Sequence, residues 1–120
     1  MRFYWTTIKV RDIEKSLQFY QEIVGLKVHS RFKAGPDQEI VFLGEGDTKV
    51  ELIYNKELKE INIGQDISLG FEAKNLEEKM NFITEKGINI HSGPFAPNDN
   101  VRFFYVLDPN GVKIQFVEQS

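Results

Sequence analysis

The chain has 120 residues, 15 Lys and Arg against 18 Asp and Glu, a net charge of −3 and no cysteine. That length supports one domain with a shared core, and scattered charges of both signs give no basic footprint for nucleic acid. The missing cysteines exclude disulfides, thiolate nucleophiles and sulfur-ligated metals.

The opening Met1 to Thr6 carries no long apolar stretch and no small-residue cleavage site, and no later run approaches membrane length. A soluble, cytoplasmic protein with no membrane partner is the expectation. From Phe3 to Val10 the pattern is strand-like, with Thr6, Ile8 and Val10 on one face and Trp5, Thr7 and Lys9 on the other. Asp12 then caps a helix whose Ile13, Leu17, Tyr20 and Val24 form one apolar stripe, and Gly25 ends it. Strands are expected over Leu26 to Phe32, Glu39 to Leu43 and Lys49 to Tyr54, the last two joined by the hairpin chemistry of Gly44-Glu45-Gly46-Asp47.

The same order then returns. A strand from Ile67 to Ala73 precedes an Asn75-capped helix to Glu85, then come strands at Ile88 to His91, Arg102 to Leu107 and Val112 to Val117. The Pro- and Asn-rich Gly93 to Asn100 reads as a loop, and Asp108-Pro109-Asn110-Gly111 as a turn. His29 and His91 recur at equivalent places, in Val28-His29-Ser30 and Ile90-His91-Ser92, and are taken as polar strand positions. Phe103-Phe104-Tyr105 places at least one aromatic on each face of its strand.

A duplicated βαβββ unit therefore fills the chain: module 1 over about 1–55, a connector over about 56–64 and module 2 over about 65–120. Each helix has one apolar stripe and covers one sheet face, leaving the other face open to a ligand, to the other module or to a second subunit. Alternation places Trp5, Thr7, Lys9, Glu51, Ile53, Ser68, Gly70, Glu72, Lys113, Gln115 and Val117 on the open faces.

Two stretches carry a resemblance: Trp5-Thr6-Thr7-Ile8-Lys9-Val10-Arg11-Asp12 with its helix and Gly25-Leu26, and the closing Asp108-Pro109-Asn110-Gly111-Val112-Lys113-Ile114-Gln115-Phe116. Together they resemble the vicinal oxygen chelate superfamily of glyoxalase I, bleomycin-resistance proteins and extradiol dioxygenases, along the whole chain. The resemblance implies an α+β fold, a single domain over 1–120 in which two tandem βαβββ modules form an open eight-stranded, barrel-like sheet with helices outside. It also implies a homodimer, and a cleft between the modules that takes a small molecule.

Metal-dependent members place four ligands, His or Gln and Glu, on the open faces. Carried over, those positions are Trp5, Glu51, Ser68 and Gln115. One carboxylate and one amide are too few for a tight transition-metal site, so no metal is expected. In an alternative register a bulge brings Asp66 to Glu51 and Gln115, an oxygen set suited to Mg²⁺ or Mn²⁺. The leading expectation is a binding protein that sequesters a hydrophobic or aromatic small molecule such as an antibiotic or toxin, contacting Trp5, Thr7, Lys9, Phe42, Glu51, Ser68 and Gln115. Lys9 falls where glutathione-dependent glyoxalases carry a basic residue. The alternative is a metal-dependent lyase or isomerase like glyoxalase I, with Glu51 as the catalytic carboxylate.

Overall fold

A computed structural model of the chain describes residues 1–58 and 60–120. They form two compact units, Met1–Asn62 and Ile63–Ser120, each holding one βαβββ run. Lys59, inside the expected connector, lies outside the described residues.

The first unit runs β1 (Trp5–Lys9), α1 (Ile13–Gln18), a π-helical segment (Phe19–Val24), β2 (Val28–Lys33), β3 (Gln38–Leu43) and β4 (Lys49–Asn55). Extended Asp12 starts the helix, its carboxylate accepting the Lys15 N–H at 3.1 Å and so satisfying one of the amides that a helix start leaves unbonded. Gly25 stops it in the left-handed region, at φ 90°. The sheet order is β1-β4-β3-β2, with β1 parallel to β4 and the other pairs antiparallel. Ile8, Val41, Leu43, Val50 and Leu52 are buried on one side of this sheet, with Ile13, Leu17, Tyr20 and Ile23 buried on the helical segment. Burying each such large apolar side chain is worth about 1.5–3 kcal/mol relative to leaving it exposed. The expected helical stripe holds for Ile13, Leu17 and Tyr20. The wider π turn buries Phe19 and Ile23 and leaves Val24 half-buried.

The second unit repeats the plan with β5 (Ser68–Glu72), α2 (Leu76–Glu85), β6 (Ser92–Asn98), β7 (Val101–Leu107) and β8 (Lys113–Gln119), in sheet order β5-β8-β7-β6. The eight strands thus divide into two four-stranded sheets. Asn75 caps α2 by accepting the Glu78 N–H at 3.0 Å, and Phe104, Val106, Ile114 and Phe116 are fully buried. In the turn before β8, buried Asp108 accepts the backbone N–H groups of Asn110 at 2.7 Å and Val112 at 2.8 Å.

One element departs from expectation. The sixth strand is Ser92–Asn98, within the segment expected as a loop, while Ile88 to His91 stay outside it. Its Pro94 and Pro97 are tolerated because β6 is an edge strand whose pairing with β7 is interrupted between Ser92 and Phe95 and again between Phe95 and Asn98. Proline needs only that no ladder bond be asked of its nitrogen.

Each unit also ties its helix start to its sheet through an arginine. Arg31 on β2 donates to Glu39 on β3 at 2.6 Å and to Glu14 in the first turn of α1. Arg102 on β7 donates to Glu118 on β8 at 2.7 Å and to Glu77 in the first turn of α2 at 2.9 Å. Glu118 accepts the Leu76 N–H as well, at 3.0 Å. These bonds hold Glu39 and Glu118 below the ordinary carboxylate range and push both guanidinium groups higher still.

Candidate functional site

Strand register settles what shares each open face. In the first unit Trp5 pairs with Lys49, Thr7 with Glu51 and Lys9 with Ile53. Phe42 also sits opposite Glu51, and Phe32 opposite Ile40. Because Ile8, Val41 and Leu52 are buried on the opposite side, alternation puts Trp5, Thr7, Lys9, Phe42 and Glu51 together on the face away from the helix.

Two features dominate that face. The first is a run of aromatic rings. Tyr4 stacks on Trp5 with centroids 5.6 Å apart, Trp5 meets Phe42 edge-on at 5.1 Å, and Phe42 stacks on Phe32 at 6.4 Å. Trp5 keeps 46% of its surface exposed, so the run offers open ring surface rather than a closed core. The second is Glu51, only 9% exposed. The Thr7 hydroxyl donates to its Oε1 at 2.5 Å, a charge-assisted bond across the parallel strand pair that fixes the carboxylate. The two lysines flanking this pair point elsewhere or outward: Lys49 donates to the Gly46 carbonyl at 2.9 Å, and Lys9 is exposed.

The open face of the second unit is built differently from equivalent positions. Ser68 pairs with Lys113 and Gly70 with Gln115, so register places Ser68 where Trp5 stands, Gly70 where Thr7 stands and Gln115 where Glu51 stands. Gln115 donates through Nε2 to the Tyr105 hydroxyl at 3.2 Å, and the Lys113 ammonium lies 5.2 Å from the Tyr105 ring centroid. A side chain at position 70 would bring its Cβ to 3.1 Å from Gln115 Oε1, so glycine leaves the amide its room. The result is a concavity of about 560 Å³ lined by Gly70, Glu72, Lys74, Gln115, Val117 and Gln119.

The remaining candidates are placed as follows. Asp66 precedes β5 and is exposed, and β5 pairs with β8 in unbroken register from Ser68 to Glu72, without a bulge. His29 is exposed on β2 and His91 is exposed just before β6, with Nδ1 3.1 Å from the Ser92 hydroxyl; register makes Ser30 and Ser92 equivalent, so the histidines hold matching places, although only His29 falls inside a strand. Phe104 is buried, while Phe103 and Tyr105 take the other face of β7.

The four positions carried over from the resemblance make a poor metal set. Trp5 offers an indole without a ligating lone pair, Ser68 an exposed neutral hydroxyl, Gln115 a single neutral amide oxygen, and Glu51 a single carboxylate. Among the described residues no three or more His, Cys, Asp or Glu gather in a group that fits a metal ion. Transition-metal sites of this kind need several imidazoles or carboxylates converging, and these residues do not provide them. What the open face of the first unit supplies is stacking surface and one carboxylate acceptor, and that of the second a set of amide and hydroxyl groups.

Sequence reasoning passed over two contributors and left the role of a third, Tyr105, open within its aromatic run. Tyr4 and Phe32 extend the aromatic run, and Tyr105 orients Gln115. Period-two alternation would have found Phe32, which falls on the same face as Phe42 once Ser30 is set opposite it. Tyr105 needed the β7–β8 register, which no local pattern encodes.

Comparison with known proteins is consistent along the whole chain. The family model of the Glyoxalase/Bleomycin resistance protein/Dioxygenase superfamily matches residues 2–116. A lactoylglutathione lyase of Neisseria meningitidis is 31% identical over 129 aligned positions, covering 100% of this chain and 92% of that protein. Among solved structures, the trypanothione-dependent glyoxalase I of Leishmania major superposes with a TM-score of 0.84 at 24% identity, over 98% of this chain and 86% of that one. An antibiotic-binding protein from Streptomyces sp. CB03234 does so with a TM-score of 0.76 at 19% identity, over 100% and 97%. The chain belongs to the glyoxalase/bleomycin resistance protein/dioxygenase superfamily.

Proposed function

We propose that this protein binds a small hydrophobic or aromatic molecule without a resident metal, as a sequestering protein rather than a lyase. The observation that carries the reading is Trp5 itself. It stands at a position where metal-dependent members of the superfamily place a ligand, and it supplies exposed stacking surface beside Phe42. Aromatic pairs of this kind add about 0.5–1.5 kcal/mol each beyond area burial. Glu51, Ser68 and Gln115 fix polar groups of the bound molecule, with Thr7, Phe42 and Lys9 lining its place. The chain acts as one domain over 1–120, as a homodimer in the cytoplasm, in keeping with the family resemblance. No helix among the described residues is long and apolar enough to cross a membrane.

The competing reading is a metal-dependent lyase with Glu51 as the proton-moving carboxylate, favoured by the 31% identity to a lactoylglutathione lyase. Two measurements separate them. Metal content after purification without chelators, with hemithioacetal turnover assayed with and without added Ni²⁺ or Zn²⁺, is expected to show neither stoichiometric metal nor turnover. Since Trp5 is the sole tryptophan, its fluorescence reports directly on ligands at the open face of the first unit. Near-stoichiometric metal with turnover would overturn the binding reading. Metal-free protein whose Trp5 emission is quenched by an aromatic ligand would overturn the lyase.

A further inference from the structure

Glu51 has a property that the small-molecule reading does not require. It is nine-tenths buried, yet its side chain's only hydrogen bond among the described residues is the one from Thr7 to Oε1, and none of the ion pairs among them includes it. No fully buried side-chain oxygen or nitrogen lacks a partner among the described residues, so the unbonded Oε2 must open to the solvent side of the face rather than be sealed in the sheet. A carboxylate fixed through one oxygen, with the other open on the face and without a partner among the described residues, is a ready acceptor for a donor on a ligand.

Its neighbours narrow what that something is. Phe42 lies directly opposite and Trp5 one diagonal step away, so Oε2 opens beside ring surface. A hard inorganic cation would want several oxygens converging, and among the described residues no such cluster gathers. Ring faces favour organic cations, because their quadrupole attracts positive charge while the rings stack on a planar body. Resting on the small-molecule reading above, we propose that the ligand is a planar aromatic cation whose protonated nitrogen donates to Glu51 Oε2 while its ring system stacks on Trp5, with Phe42 set edge-on to that indole as the neighbouring wall. Thr7 acts as a positioning residue, holding the carboxylate by its other oxygen.

The test uses three fused three-ring probes of matched shape: 9-aminoacridine as the cation, 9-anthracenemethanol as the neutral form and 9-anthracenecarboxylate as the anion. Binding is followed by probe anisotropy on the full chain and on Glu51→Gln, whose amide oxygen still accepts from Thr7. On the native protein the cation should bind at least about tenfold tighter than the alcohol, with the anion weakest. In Glu51→Gln the ratio of cation to alcohol affinity should fall to within about twofold. Equal affinity of cation and alcohol on the native protein, or a preference that survives Glu51→Gln, would overturn the proposal while leaving the binding reading intact. Displacement of 9-aminoacridine by millimolar Mg²⁺ would also overturn it, by making Oε2 a metal ligand. If none of the probes binds, the inference and the reading beneath it both fall.

Discussion

The two units share a plan down to strand register and differ in what they set on it. In the first, the open face pairs a run of aromatic rings with one desolvated carboxylate; in the second, the equivalent positions hold Ser68, Gly70 and an amide tied to a tyrosine. Duplication fixes where side chains point, because parallel pairing of the first and last strands of each unit puts the same two positions side by side. It does not fix their chemistry. The open face of the first unit is a stacking, charge-bearing surface and that of the second a hydrogen-bonding one, and among the described residues neither gathers the imidazoles or carboxylates that a transition metal needs.

The buried faces differ too, and here the largest effects are expected. Register makes Leu52 and Phe116 equivalent, since Ile8 pairs with the first and Phe71 with the second. Both are fully buried, and Phe116 also packs against Phe104 with centroids 5.4 Å apart. Phe116→Ala should cost about 3–5 kcal/mol and Leu52→Ala about 2–5 kcal/mol, the phenylalanine losing more because it leaves the larger cavity and an aromatic partner unmatched. Urea midpoints at constant m-value would measure both. A smaller loss for Phe116→Ala would mean that the second core collapses around the cavity.

The helix caps come next. Asp12→Ala and Asn75→Ala each remove one bond to the third amide of a helix, worth about 0.5–2 kcal/mol. The aspartate should matter more. It carries a charge that the helix start favours, and it begins an α-helical stretch of only six residues before the π segment. α2 keeps a second anchor when Asn75 is lost, because Glu118 still accepts the Leu76 N–H. Equal losses in thermal unfolding would show that Glu118 adds nothing to the cap.

How much of this was legible in the sequence follows from the range of each signal. The capped helices, the Gly25 stop and the Asp108 turn depend on neighbours a few residues apart, so their residues announce them. Glu51 stood out as a carboxylate inside an apolar strand. What escaped depends on pairing between distant segments. Thr7 meets Glu51 across 44 residues of chain, and no local pattern shows that β1 runs parallel to β4 in that register. β6 escaped for the opposite reason: Pro94 and Pro97 are correct local evidence against an interior strand, and only its place at the sheet edge makes them compatible with one.

A third difference lies four residues past each cap, where the first unit has Ser16, fully buried, and the second has Lys79. Lys79 is half-buried with its ammonium 4.9 Å from the Phe116 ring centroid, and burial pushes its pKa below the usual lysine value. A base with a depressed folded-state pKa disfavours folding while it is charged. The penalty is present at neutral pH and fades as pH rises through 10.5, where the unfolded chain also loses the proton. Lys79→Met should therefore raise the melting temperature at pH 7 by a few degrees, with less gain in alkali. A lowered melting temperature at pH 7 would show that the ring contact outweighs desolvation.

The arginine ties separate the units most finely. Glu39 and Arg102 occupy equivalent positions with opposite charge, yet each unit still binds its first-turn glutamate through an arginine. Lowered folded-state values for Glu39 and Glu118 mean that their stabilisation is complete above about pH 4.5 and disappears as pH falls through the depressed value. The arginines, shifted upward, keep their contribution throughout that range. Arg31→Met leaves Glu39 only the weaker pull of Lys33, so most of the acid-dependent loss from that tie should vanish. Arg102→Met leaves Glu118 bonded to the Leu76 N–H, so part of its acid sensitivity should persist. Urea midpoints at pH 6 and pH 3 would distinguish them, and molar salt should shrink the arginine-dependent part in both, since exposed ion pairs are screened and the backbone bond is not. Identical behaviour of the two variants would show that Glu118 draws its low pKa from Arg102 alone, and that the second unit's helix is held by charge just as the first one is.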